Sequence, residues 1–311
     1  MSRAFVFPGQ GAQTIGMGRA LAEAYPAAKA VFDEVDAALG EKLSALIWEG
    51  DIETLTLTAN AQPALMATSM AAMRALEAEG FAVTDAAYVA GHSLGEYSAL
   101  CAAGAISLAD TARLLRVRGQ AMQEAVPVGE GAMAAILGLD FEAADAVARA
   151  AAEELDEVCQ AANDNDPAQV VISGHKAAVE RAMVLAKERG AKRALALPVS
   201  APFHSALMQH AAGVMANSLA ATEIRDPVVP VVANVRAEAV QESGHIRRLL
   251  VEQVTGSVRW RESVLWMADQ GVTEFWEIGA GKALSGMIRR ITPEAVVKAI
   301  GTPEDLAALK G

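Results

Sequence analysis

Gly91-His92-Ser93-Leu94-Gly95 stands between the apolar run Tyr88-Val89-Ala90 and a helix-like stretch from Glu96 to Ala103. Strand, sharp turn and helix in that order lift a serine hydroxyl clear of a sheet edge. Glycines at 91 and 95 let the chain reverse and let the helix approach the strand. The Ser93 hydroxyl then projects at a helix N-terminus, with the Leu94 N–H facing an incoming carbonyl oxygen. A serine helix cap would also place Ser93 there, but a cap does not need both glycines.

A second glycine-rich turn supports the first. Ala4-Phe5-Val6-Phe7 reads as a strand running into Pro8-Gly9-Gln10-Gly11-Ala12-Gln13, and then into a helix beginning near Gly16-Met17. In an open parallel sheet, ligands bind outside the carboxyl ends of the strands. Both turns can therefore face one bound group, with the Gln10 N–H as a second oxyanion donor. The turn has no lysine at phosphate-loop spacing and no Gly-X-Gly-X-X-Gly fingerprint followed by an acid, so neither ATP nor NAD is expected as a cofactor.

The rest of the chain organises around these turns. Up to residue 127 short apolar strands alternate with longer helices, including one from about Ala61 to Glu79 and one capped at Ser107 by a box variant with Asp110. From Gly131 the rhythm becomes strand (132–137), helix (142–154), strand (158–162), strand (169–173), helix (177–189), strand (194–197). That βαββαβ order is ferredoxin-like, with Asn163-Asp164-Asn165-Asp166-Pro167 as the turn between its central strands. After Pro198 the first rhythm resumes through strands at 229–233 and 274–278. The expected architecture is a large α/β-hydrolase-like domain with a parallel sheet core, residues 1–127 and 198–311, carrying an inserted ferredoxin-like small domain at 128–197. A cleft between them would form the binding site.

Composition narrows the class. The chain has 311 residues, 53% hydrophobic and 21% charged, an ordinary globular balance, and its net charge of −12 argues against nonspecific nucleic-acid binding. No apolar stretch reaches membrane-spanning length and no leader pattern opens the chain, so it reads as cytoplasmic. Cys101 and Cys159 make neither a disulfide framework nor a metal pair and read as small buried hydrophobes. Basic groups cluster at Arg189, Lys192 and Arg193, at Arg247 and Arg248, and at Arg289 and Arg290. Each reads first as a solvated helix end.

A serine nucleophile needs a base, and the chain has five histidines. His92 sits on the turn and points away from Ser93 or tunes the pocket, although it stays a candidate base. His175, His210 and His245 read as surface residues. His204, in Ser200-Ala201-Pro202-Phe203-His204-Ser205, lies where proline imposes an extended approach before a helix, at a domain junction. It is the best base. No partner acid stands out, and a backbone carbonyl could orient the imidazole instead. Arg118 could clamp a substrate carboxylate, although by its surroundings alone it reads as a solvated helix arginine.

With these residues in view, the chain resembles the malonyl-CoA:acyl carrier protein transacylases of type II fatty acid synthesis, a family related to the acyltransferase domains of polyketide synthases. The resemblance runs over nearly the whole length. It rests on Phe7 to Gln13, Gly91 to Tyr97, Arg116 to Gly119, Met122 to Pro127, Gly131 to Ala135, Asn163 to Gly174 and Pro202-Phe203-His204. It implies a ping-pong transfer in which Ser93 takes the malonyl group from malonyl-CoA with His204 as base, and the phosphopantetheine thiol of acyl carrier protein then collects it. It further implies Gln10 and Leu94 as the oxyanion hole, Arg118 as the carboxylate clamp and the Gln253 carbonyl as the group orienting His204. His92 is placed with Arg118 and Gln253 among the substrate-pocket residues. Leu94 and Phe203 resemble malonyl- rather than methylmalonyl-selective enzymes.

One departure is Asn165-Asp166-Pro167-Ala168-Gln169, where the family often reads Asn-Ser-Pro-Gly-Gln, which leaves open the loop conformation there more than the chemistry. No resident cofactor or metal, no membrane or nucleic-acid partner and a monomeric state are expected. Lys187, Arg189, Lys192 and Arg193, or Arg289 and Arg290, are the expected carrier-docking cations. The rival readings are a serine hydrolase such as a thioesterase and a non-catalytic acyl-binding module. The position of His204, well before the C-terminus with a ferredoxin-like insertion between it and Ser93, favours transfer.

Overall fold

The computed structural model describes residues 2–199 and 201–310; Ser200, in the segment leading to His204, lies outside them. In chain order, β1 (Ser2–Phe7) leads through α1 (Arg19–Ala24), α2 (Pro26–Leu39), α3 (Leu43–Glu49), α4 (Ile52–Thr56) and α5 (Thr58–Ala78) to β2 (Tyr88–Gly91). Then follow α6 (Leu94–Ala102), α7 (Leu108–Glu124), β3 (Gly131–Leu137), α8 (Phe141–Leu155), β4 (Cys159–Asp166), β5 (Gln169–His175), α9 (Lys176–Glu188) and β6 (Arg193–Ala196). The chain closes with α10 (Gln209–Ala220), β7 (Val231–Ala233), β8 (Glu238–Val240), α11 (Ser243–Thr255), α12 (Trp260–Asp269), β9 (Val272–Ile278), α13 (Ala283–Ile291), β10 (Val296–Ile300) and α14 (Pro303–Ala307).

Two sheets result. The larger has the order β10-β9-β1-β2-β7-β8, parallel throughout except for the β7–β8 pair. Alternation along β1 shows why it lies at the centre. Phe5 and Phe7 enter a core under the helices of one face, while Ala4 and Val6 enter the core that α12 and α13 close on the other. The smaller sheet, β4-β5-β3-β6, is antiparallel. It has the ferredoxin-like strand order and packs Ala134, Ile136, Val170 and Ile172 against α8 and α9. Its other face presents Met133, Ala135 and Val171 to a cavity shared with the larger sheet.

Several local expectations change. The helix expected near Gly16-Met17 starts at Arg19, because Gly18 is left-handed at φ 74°. Ser107 caps α7 through the Asp110 N–H, but the Asp110 carboxylate accepts from the Ser107 hydroxyl instead of returning to the backbone, so the box is only half made.

The largest correction concerns Asn163 to Asp166, which form the buried end of β4 and not a turn. The reversal shrinks to Pro167 and Ala168 between the paired Asp166 and Gln169. Asp164, Asn165 and Asp166 stay buried because each side chain has a partner across the seam. Asp164 pairs with Arg261 and Asp166 with Arg290, the Asp164 N–H donates to the Val258 carbonyl, and Asn165 meets His92. Arg290 is thus tied down, while Lys187, Arg189, Lys192 and Arg193 remain exposed. Cys101 and Cys159 are free and buried, and burial pushes their thiols up to about 11 and about 12. No helix among the described residues is long and apolar enough to cross a membrane.

Candidate active site

The register of the large sheet builds the site. Phe7 pairs with Gly91 at the carboxyl ends of β1 and β2, and the His92 N–H donates to the Phe7 carbonyl, so the two glycine-rich turns lie side by side. The elbow needs both its glycines for lack of room. A Cβ on Gly91 would sit 1.9 Å from the Gly95 carbonyl oxygen, and one on Gly95 would sit 2.2 Å from the Phe7 carbonyl oxygen. Between them Ser93 holds φ 54° and ψ −111°, a strained conformation for a residue with a side chain. That backbone is held by Asn234, at the end of β7. Its Oδ1 accepts from the Ser93 N–H at 2.8 Å and its Nδ2 donates to the Gly91 carbonyl at 2.7 Å.

His204 reaches the elbow from the segment before α10, also at positive φ, 56°. Its Nδ1 donates to the main-chain carbonyl of Gln253 at 2.9 Å, which leaves Nε2 as the acceptor for the Ser93 hydroxyl at 2.7 Å. The ring is buried, and burial together with the nearby Arg118 charge depresses its pKa to about 3, against the pull of the Gln253 carbonyl. The imidazole is therefore neutral at pH 7, in the tautomer that accepts a proton from serine. The orienting group is a carbonyl, and among the described residues no carboxylate touches the imidazole.

Arg118 is 1% exposed, so its reading as a solvated helix residue is overturned. From α7 it donates through Nη1 to Gln62 Oε1 at 2.7 Å and through Nη2 to Gln253 Oε1 at 2.8 Å and to Ser93 Oγ at 3.1 Å. Gln62 donates in turn to Thr58, whose hydroxyl donates to Gln10 Oε1 at 2.8 Å. The guanidinium is thereby linked to the loop after β1. Glu96, in the first turn of α6, is buried as well. Its Oε2 accepts from the Asn234 N–H and from Gln253 Nε2, and burial pushes its carboxyl up to about 7.

His92 does not bond Ser93. Its Nε2 meets Asn165 Oδ1 at 2.8 Å and its ring packs by Trp260, so it joins the elbow to the small sheet. His210 is exposed, but His175 and His245 are half-buried and not surface residues. His175 Nδ1 accepts from the Val158 N–H.

Ser93, His204, Arg118, Gln10, Leu94 and His92 line one cavity of about 340 Å³, walled by apolar side chains such as Met133, Val171, Phe203 and Leu284. Gln253 stands behind it. The reading from sequence missed Gln62, Glu96 and Asn234. Of these only Glu96 carried a local signal, as a charge at the start of an otherwise apolar, buried helix.

A serine elbow on a parallel sheet, a carbonyl-oriented histidine and a buried arginine define a serine acyltransferase class. The chain belongs to the acyl transferase domain family, whose model matches residues 4–295. It is similar to the malonyl CoA-acyl carrier protein transacylase of Bacillus subtilis, 51% identical over 303 residues, covering 97% of this chain and 94% of that relative. Among solved structures it is similar to the acyl-carrier-protein-S-malonyltransferase of Bartonella henselae, with 55% identity, a TM-score of 0.97 and coverage of 99% and 98% of the two chains. A third likeness is a malonyl-transacylase solved in complex with its type II polyketide synthase acyl-carrier protein, with 43% identity, a TM-score of 0.95 and coverage of 99% and 98%.

Proposed function

We propose that this chain transfers the malonyl group of malonyl-CoA to the phosphopantetheine thiol of acyl carrier protein, supplying malonyl carrier for fatty acid chain elongation. The observation that carries this reading is the single hydroxyl of Ser93 held 2.7 Å from His204 Nε2 and 3.1 Å from the buried Arg118 guanidinium. A base and a carboxylate receptor converge on one nucleophile.

In the first half-reaction Ser93 Oγ attacks the thioester carbonyl as His204 Nε2 takes its proton. The oxyanion forms towards the N–H groups of Gln10 and Leu94. Collapse expels coenzyme A, whose sulfur receives the proton from His204. In the second half-reaction His204 takes the proton of the pantetheine thiol, the thiolate attacks the malonyl-serine ester, and Ser93 is regenerated with that proton.

The substrate's carboxylate takes a place on Arg118, drawing Nη2 away from Ser93 Oγ. It also offsets the positive charge that holds His204 down. A malonyl group thus strengthens the base that attacks with Ser93, and an acetyl group does not. Gln253 positions His204 through its carbonyl and Arg118 through its side chain; His92 holds the wall of the pocket. No resident cofactor enters these steps. The units 1–127 with 198–311 and 128–197 would act as a cytoplasmic monomer, with Lys187, Arg189, Lys192 and Arg193 as the docking cations for the carrier.

Initial rates with malonyl-CoA and holo carrier protein varied together test the order of events. Parallel lines in a double-reciprocal plot are expected. Intersecting lines would mean direct transfer without an acyl-serine, and carrier-independent release of coenzyme A at the full rate would mean a hydrolase.

A further inference from the structure

Gln253 does more than orient His204. Its amide lies between two buried charges, with Oε1 accepting from Arg118 Nη2 at 2.8 Å and Nε2 donating to Glu96 Oε2 at 2.8 Å. The amide cannot be reversed. Nε2 also faces two further acceptors, the Ser93 carbonyl at 3.0 Å and Asn234 Oδ1 at 3.3 Å, while Oε1 faces a guanidinium that only donates. Arg118 and Glu96 are therefore coupled through one fixed side chain beneath the nucleophile.

We propose that Glu96 is the resident counter-charge of Arg118, and that it takes up a proton from solvent when the acyl group's carboxylate occupies the guanidinium. The inference rests on the malonyl-transfer reading and deepens it. With Glu96 ionised, as it mostly is above about pH 7, the buried pair Arg118⁺ and Glu96⁻ is neutral. A substrate carboxylate adds a second anion to the same site, and protonation of Glu96 restores neutrality. When the acyl group leaves for the carrier, the proton returns to solvent. Both hydrogen-bond donors reach Oε2, so the proton fits on Oε1 without breaking either bond.

Few other groups compete. α6 packs against α5, α7, β1, β2 and β7, and α11 reaches Glu96 through Gln253, while the α11 charges Arg247, Arg248 and Glu252 do not act on that carboxyl. Among them, Arg118 of α7 is the charge that acts on Glu96, and the buried face of α5 carries no ionisable residue. Tyr97, beside Glu96 on α6, is itself held protonated by burial. His204 lies beyond the Gln253 main chain. Burial already holds the Glu96 carboxyl near the point of change, at about 7.

The test follows protons during a single acylation by malonyl-CoA, with a pH indicator in weak buffer and intact mass as the measure of adduct. Per acyl group taken up, wild type and Glu96→Gln each release one coenzyme A, so the difference in proton count per adduct isolates Glu96. The expected difference is an uptake of about half a proton per acylated site at pH 7, rising towards one at pH 8. Acetyl-CoA, which brings no carboxylate, should give no difference.

Equal proton counts in the two proteins at full acylation would overturn the proposal. If Glu96→Gln does not fold, the infrared difference spectrum of wild type at pH 8, malonyl-loaded minus free, decides. A new carboxyl band that shifts in D₂O, as the malonyl-serine ester band does not, supports the proposal, and its absence overturns it. A protein that takes no acyl group at all removes the transfer reading and this inference together, whereas an adduct without proton uptake removes this inference alone.

Discussion

Arg118→Ala should reverse the acyl preference of the protein. In the unliganded site the guanidinium makes three side-chain hydrogen bonds and is buried from solvent. A malonyl carboxylate would gain two charge-assisted bonds from it, each worth about 1.5–3 kcal/mol. Their loss amounts to about 3–6 kcal/mol, or about 10²- to 10⁴-fold in kcat/KM for malonyl-CoA. For acetyl-CoA the sign is opposite, because an acetyl group gives the guanidinium no new partner and leaves the base weakened by its charge. Removing the charge should raise kcat/KM for acetyl-CoA about tenfold.

The cost to stability is modest. Gln62 and Gln253 each lose a donor at Oε1, and Glu96, left without its counter-charge, takes up a proton at small cost because burial already holds it at about 7. The assay is the initial rate of coenzyme A release for both donors at one carrier concentration. The ratio of the two kcat/KM values should move about 10³-fold or more towards acetyl. An equal fall for both substrates would mean that Arg118 only supports the fold, and the clamp argument would be wrong.

Other outcomes follow from the same geometry. Ser93→Gly should raise stability by about 1 kcal/mol in urea melts, because the φ 54°, ψ −111° elbow suits glycine; a clear loss would show the elbow to be unstrained. Arg261→Ala should cost about 3 kcal/mol by leaving the fully buried carboxylate of Asp164 unpaired, and a change within about 0.5 kcal/mol would refute that. The free protein's kcat/KM for malonyl-CoA should change by no more than about twofold from about pH 7 to about pH 5, a small rise as Glu96 completes its protonation, since His204 is held near 3. A tenfold loss per pH unit below 6.5 would mean an ordinary histidine.

Stability should also show opposing slopes. The His204 ring binds its proton in the unfolded chain first, so its contribution falls as pH drops from about 6.5 towards 3. Glu96 holds its proton in the native state first, so its contribution falls as pH rises from about 4.5 to 7. The two offset each other between about 4.5 and 6.5, and Glu96→Gln should uncover the His204 slope there.

The elbow was legible because its chemistry is local: two glycines, a strand before and a helix after. His204 was legible because proline fixes the approach to it. Arg118 was not legible as buried. What buries it is Gln62 and Gln253, 56 and 135 residues away in the chain, and helix α7 by itself gives no sign of either. Asn234 was missed for the same reason, acting across 141 residues on the Ser93 N–H. Asn163 to Asp166 misled because turn chemistry and buried pairing use the same residues. Only the placement of Arg261, Arg290 and Val258 tells the two apart. Patterns within one element report the fold class, whereas polar networks that join elements become visible only when the elements are assembled.

The most direct test is the intact mass of the protein after brief mixing with malonyl-CoA, for wild type and Ser93→Ala, before and after addition of holo acyl carrier protein. A malonyl adduct on wild type alone that passes to the carrier is the predicted result. An adduct on Ser93→Ala as well, or one lost to water equally fast without the carrier, would contradict the account.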